Sequence, residues 1–202
     1  MLKNLLKTVQ QYADDFKELE LEYIQNQQKL KESYQGDMYK SQISSLTQNY
    51  NQKIEALKER AKTLIDKEVT EARSAIKAVI TKPITADQFN LIQTAKLLKE
   101  TNGLSEVEKQ EIMNKCKGNY LATRTLVDIF GINYAPDNHH AEGLLSRIDG
   151  AVTLINKNVI QAQGFSTDRS SFTSAFILKG DMISNIQTDV SSFVESYSDS
   201  AQ

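Results

Sequence analysis

The stretch MLKNLLKTVQQYADDFKELELEY, residues 1–23, carries apolar side chains at Leu2, Leu5, Val9, Tyr12, Phe16, Leu19 and Tyr23. The steps between them alternate three and four residues, the period of a helix that hides a narrow seam against another helix. A half-buried strand would alternate in twos, and no such run with a hairpin turn occurs in the chain. The fold class predicted is all-α. The following seam positions are Asn26, Leu30, Ser33 and Asp37, so the stripe ends around Gln35-Gly36-Asp37. A second stripe then runs through Tyr39, Ile43, Leu46, Tyr50, Ile54, Leu57, Ala61 and Leu64. Its consecutive four-residue steps around Tyr50 would locally unwind a supercoil. It continues through Val69, Ala72, Ile76 and Val79. Two arrangements satisfy this pattern. The chain could turn at Gly36 into a helical hairpin, or run on as one helix of about 75 residues, roughly 110 Å at 1.5 Å per residue. A lone glycine inside a helix costs only about 1 kcal/mol, so both stay open.

The only prolines, Pro83 and Pro136, mark changes of pattern. Residues 1–82 read as a long coiled-coil arm, and residues 83–202 as a helical domain. Within that domain, short capped helices are expected over 85–131 and a long antiparallel helical hairpin over 137–199. Thr85-Ala-Asp-Gln88 and Ser105-Glu-Val-Glu108 have the form of capping boxes. The first should start a helix burying Phe89, Ile92, Ala95 and Leu98 and stopping at Asn102-Gly103. The second starts a helix carrying Val107, Ile112 and Met113, broken at Lys117-Gly118-Asn119. A third, apolar helix runs from about Tyr120 to Phe130 and ends at Gly131. Beyond Pro136-Asp137, Leu144, Leu145, Ile148, Val152, Ile155, Val159 and Ile160 stripe a helix expected to reach about Gln163. There Gly143 and Gly150, one heptad apart, would permit a close helix approach. After a turn at Phe165–Asp168, the last helix presents Phe172, Phe176, Ile183, Ile186, Val190, Phe193 and Tyr197.

Composition narrows the function classes. Hydrophobic residues make up 40%, tryptophan is absent, and mean hydropathy is −0.46, so the core is spread thin. The 24 basic and 26 acidic residues give a net charge of −2 and are interspersed. That is not the concentrated cation surface that neutralises phosphates, so nucleic acid is not an expected partner. The first residues lack the apolar run and small-residue cleavage site of a signal peptide. No apolar run approaches the roughly 20 residues of a membrane span. Leu2, Leu5 and Leu6 beside Lys3 and Lys7 suggest a membrane-surface helix, but Asp14, Asp15, Glu18, Glu20 and Glu22 follow at once and would repel anionic lipid.

Candidate chemistry is sparse. The histidines are the neighbours His139 and His140, which on a helix point about 100° apart and cannot share a metal. His139 and Glu142 could supply two ligands, with no further set to complete them. The single cysteine, Cys116, excludes an intramolecular disulfide, and no histidine is placed by the sequence to activate it; a small buried or half-buried thiol is expected. No phosphate-cradling glycine loop or hydrolase elbow is present. The helix macrodipole alone explains Glu106, Glu108 and Glu111 near a helix start. No catalytic, cofactor or metal residues are expected, and the chain does not read as an enzyme.

The segment LSEVEKQEIMNKCKGNYLATRTLVDIFGI, following a Gln/Lys/Glu-rich coiled coil, resembles small helical structural and assembly proteins of tailed bacteriophages of Gram-positive bacteria. The resemblance covers residues 85–131 and rests on Leu104, Ser105, Glu108, Lys117, Asn119, Leu121, Arg124 and Leu126. It implies a scaffold-like or minor head component without catalysis, located in the virion or in the host cytoplasm during assembly. The alternative is a secreted or surface-associated helical interaction protein of a Gram-positive bacterium. In either case the expected partners are a second copy of the chain or another structural protein. The expected interaction residues are those of the arm's seam: Leu5, Val9, Tyr12, Phe16, Leu19, Tyr23, Ile43, Leu46, Tyr50 and Leu57.

Overall fold

The computed structural model of the chain describes residues 2–101, 103–132, 140–157 and 169–198, with the side chains of 169–180 outside the description. The protein is all-α. Among the described residues there are seven α-helices and no strand: α1 (Leu5–Ser33), α2 (Gly36–Ile80), α3 (Ala86–Glu100), α4 (Glu106–Lys115), α5 (Tyr120–Phe130), α6 (Ala141–Ile155) and α7 (Arg169–Ser196). Pro136, His139, the stretch expected to carry a helix on to Gln163 and the turn at Phe165–Asp168 lie outside the described residues. The chain packs as two units, one of residues 2–69 with 149–184, the other of residues 70–148 with 185–198.

In the first unit, the choice between rod and hairpin falls to the hairpin. α1 ends where Tyr34 turns extended, and Gly36 takes a left-handed φ of 58°, which residues with a Cβ adopt only at a cost. α2 then runs back along α1. Asn4 donates to Glu68 at 2.8 Å, Lys53 to Glu22 at 3.0 Å, and the Tyr23 ring lies 4.5 Å from that of Tyr50. The Thr47 hydroxyl donates to its own helix at the Ile43 carbonyl, so across the seam Tyr23 is the donor to Thr47 Oγ1 at 3.0 Å.

The seam departs from the expected one at Leu64. That side chain is 41% exposed, while its neighbour Ile65 is 1% exposed. The buried positions of α2 here are Ile54, Lys58, Ala61, Ile65 and Val69. Two successive four-residue steps, at Ala61, Ile65 and Val69, rotate the stripe past Leu64. Lys58 occupies a seam position that period alone would give to an apolar residue. Its stem is buried, and its ammonium reaches the rim to pair with the exposed Glu55 at 2.9 Å.

The second unit is built on α3, α4 and α5. Both capping boxes form, with Thr85 and Ser105 each accepting from the backbone N–H three residues on and each receiving the reciprocal side-chain contact. Their apolar faces meet around Ile92, Ala95, Cys116, Ala122 and Leu126, with Ile112, Met113, Ile129 and Phe130 packed against them. Phe89, expected to be buried, is exposed, as is Val107, because the inward faces are already supplied by Leu91, Ile92 and Ala95 on α3 and by Ile112 and Met113 on α4. In α6, Gly150 leaves open space where a Cβ would stand, so no close helix approach depends on it. Arg147 of α6 pairs with Asp189 of α7 at 2.6 Å.

The tightest knot lies at the expected break. Gly118 adopts a φ of 80°, turning the chain from α4 into α5. Asn119 follows as the buried N-cap of α5, accepting from the Ala122 N–H at 3.0 Å and donating to the Pro83 carbonyl at 2.8 Å. Lys82 donates to the Gly118 carbonyl at 2.9 Å, and Thr123 donates to the Cys116 carbonyl at 3.2 Å. One side chain therefore caps a helix and ties down the chain leaving α2.

Two outcomes follow from these buried polar positions. Asn119→Ala strands the buried Ala122 N–H and frees the part-buried Pro83 carbonyl, and should cost about 2–3 kcal/mol in chemical denaturation, with Asn119→Asp losing less because it keeps the cap acceptor. Lys58→Met keeps the buried stem and removes the rim ammonium with its pair to the exposed Glu55, and should leave stability unchanged or raise it by about 1 kcal/mol.

Candidate interaction surface

Ten seam residues were expected to mediate association, and they separate by burial. Leu5, Val9, Tyr12 and Tyr23 are buried by the chain's own residues and offer little area to a second chain. Phe16, Leu19, Ile43, Leu46, Tyr50 and Leu57 are half-buried. Their position between two helices covers one side of each ring or branch and leaves a flank open.

The open flank forms a groove along the α1–α2 hairpin. One part, of about 420 Å³, is lined by Asp15, Glu18, Leu19 and Glu22 of α1 and by Lys53, Ala56, Leu57 and Arg60 of α2. A second, of about 310 Å³, shares Asp15, Leu57 and Arg60 with it and continues past Gln11, Thr8 and Lys7 on one side and Leu64, Lys67 and Glu68 on the other. On α2 the lining positions Lys53, Leu57, Arg60, Leu64 and Lys67 step by four and three, so cations and leucines alternate along one stripe. On α1 the facing stripe is Gln11, Asp15, Glu18 and Glu22. The result is an apolar floor between an acidic rail and a basic rail. Leu64 and the two rails were not among the expected interaction residues. The signal for them is that opposite charges face one another between the two stripes, as Lys53 and Glu22 do at 3.0 Å, and it becomes legible only once the turn at Gly36 fixes which residues lie opposite.

Electrostatics at the seam follow from burial. Burial, the Glu55 carboxylate and the Tyr50 phenol together push the Tyr12 hydroxyl from 10.0 up to about 12. Tyr50 is raised as well, first by burial and then by Glu20 and Tyr23. These phenols stay neutral at physiological pH and act as packing and hydrogen-bonding groups.

In the other unit, a recess of about 240 Å³ lies beside Tyr120, Arg124, Asp128, His140 and Tyr197. The Arg124 guanidinium reaches the Tyr120 hydroxyl at 3.5 Å, the Tyr120 ring meets those of Phe193 and Tyr197 edge-on at 5.4 Å, and Phe193 and Tyr197 lie tilted to each other at 5.3 Å. No serine, threonine or cysteine among its lining residues is paired with a base; Thr123 donates to a backbone carbonyl. Cys116 is buried at the C-cap of α4, and burial raises its thiol, which keeps it protonated and a poor nucleophile. Among the described residues, no group of three or more His, Cys, Asp and Glu could hold a metal ion. No helix among them is long and apolar enough to cross a membrane.

The chain matches no family model, no curated protein and no solved structure.

The raised phenol gives a pH test. Between about pH 10 and pH 12 the folded chain keeps a proton on Tyr12 that the unfolded chain has lost, so stability is complete below that window and falls as pH rises through it. The loss should reach about 2 kcal/mol, less than the full shift implies, because Tyr12 borders the open groove and solvent screens part of the effect. Denaturant unfolding at about pH 9 and about pH 11.5 should show it in the natural chain, and Tyr12→Phe should lose less across the same interval.

Proposed function

We propose that the protein is a non-enzymatic structural or assembly protein that works by helix-mediated association, as a virion or capsid-assembly component of a tailed bacteriophage. The observation that carries the association is the hairpin groove. Leu57, half-buried, and the exposed Leu64 lie in register on an open helix face, between rails of opposite charge. Partly exposed apolar groups so aligned gain from being covered by another helix, by about 25 cal/mol per Å² of apolar surface removed from water. Charged rails set the partner's orientation more than they add affinity. The phage assignment draws on the resemblance of residues 85–131. The Leu104-Ser105-x-x-Glu108 start, the Lys117-x-Asn119 break and the helix with Leu121, Arg124 and Leu126 are formed as a cap, a left-handed turn and a capped helix. Its partners are a second copy of this chain or another structural protein, in the virion or in the host cytoplasm during assembly.

The test is sedimentation from cells making the particles. The natural chain should travel with assembled or assembling particles. The double variant Leu57→Asp/Leu64→Asp should remain at low mass with unchanged helix content by circular dichroism. A natural chain found only at low mass or in the culture medium would overturn the particle assignment. A variant that sediments like the natural chain would overturn the role of the groove.

A further inference from the structure

Across the α1–α2 hairpin, residues that stand level have numbers that add to a nearly constant value, as Glu22 and Lys53 do through their ion pair at 3.0 Å. Counting from that pair along the two helices, Asp15 stands level with Arg60, and Lys7 with Glu68. All six line the groove. The charge on α1 changes from acidic at Glu22 and Asp15 to basic at Lys7, and the charge on α2 changes in the opposite sense at the same height. A surface with this property is complementary to itself.

We infer that the groove takes a second copy of the chain, docked face to face about a two-fold axis parallel to the hairpin. Of the two-fold axes lying in the interface, only this direction keeps every residue at its own height while exchanging sides. It lays the α1 helix of one copy over the α2 helix of the other. Asp15 then meets the partner's Arg60, Glu22 meets the partner's Lys53, and Lys7 meets the partner's Glu68, each pair occurring twice. The perpendicular axis in the same plane would lay α1 antiparallel on α1, and a centre that set Lys7 against the partner's Glu22 would also set Asp15 against Asp15 and Arg60 against Arg60. The side chains have capacity for these contacts. Arg60 and Lys7 make no hydrogen bond or ion pair among the described residues, and Asp15 accepts only from its own-helix neighbour Gln11; Glu22 and Lys53 pair within the chain and Glu68 accepts from Asn4, each keeping a further donor or acceptor position for a partner. At these heights Leu57 and Leu64 lie over the partner's Glu18 and Gln11 and cover their methylene stems, and the charges select the axis. This deepens the proposed function and rests on the same groove.

The experiment is light scattering after size exclusion on the full chain, with charge reversals. The natural chain should be a dimer. Asp15→Arg brings two guanidinium groups together at each of the two symmetry-related contacts, and Arg60→Asp brings two carboxylates together there. Each should weaken the dimer by roughly 100-fold. Mixing the two single variants restores opposite charges at both contacts between chains, and leaves the like charges within each chain untouched. The equimolar mixture should therefore recover the dimer mass, and this recovery distinguishes an intermolecular pair from an effect on folding. A monomeric natural chain, or a mixture that stays monomeric, would overturn the inference. If the natural chain is monomeric while Leu57→Asp/Leu64→Asp still loses particle association, the self-docking falls and the association reading stands. If the particle association is also unaffected, both fall.

Discussion

Two helices packed side by side cannot cover their own seam, and much of this protein follows from that constraint. A seam residue between two helices is shielded by its partner and by its own backbone, and is open on its flanks. In the α1–α2 hairpin, the stretch from Phe16 to Tyr50 stays half-buried for most of its apolar positions. Leu5, Val9, Tyr12, Ala61 and Ile65 are buried to a few per cent. The same apolar side chain types thus serve as core in one part of the hairpin and as potential contact surface in another. The difference lies in what else covers the flanks, not in the residues themselves.

The second unit meets the thin supply of apolar residues by another route. Its helices are short, and short helices leave a large share of their backbone groups without partners. Thr85, Ser105 and Asn119 answer this directly with side-chain caps, and Gly131 does so with a left-handed residue at the end of α5. Asn119 is the costliest of these, because a buried amide must satisfy both its donor and its acceptor. It does so by joining the start of α5 to Pro83, so a local capping device becomes a tertiary tie.

Much of the architecture was legible in the sequence because period and caps are local. The seven-residue pattern, both capping boxes, the break at Gly118 and the end at Gly131 need only neighbours a few positions away. What period could not give was phase. Leu64 and Ile65 are adjacent and both apolar, and only the preceding four-residue step from Ala61 decides which turns inward. Phe89 was misread for a related reason: a large apolar residue on a short helix was assigned inward although enough other apolar neighbours were there to fill the core. Lys58 was missed because a long stem can lie in a seam while its charge stays at the rim. The groove was hidden more completely, since the residues that stand level across it, Asp15 with Arg60 and Lys7 with Glu68, are far apart in the chain and have no relation until the hairpin is closed.

The aromatic cluster of Tyr120, Phe193 and Tyr197 has a consequence in time. Two of its three rings are made long after the first, and Asp189 likewise follows its partner Arg147 by 42 positions. At about 5–20 residues per second of synthesis, the α1–α2 hairpin can close several seconds before these contacts have partners at all. The groove would then be presented while residues 149–184 of its own unit and the end of the other are still unmade, so neighbouring nascent copies could meet through it before either chain had finished folding.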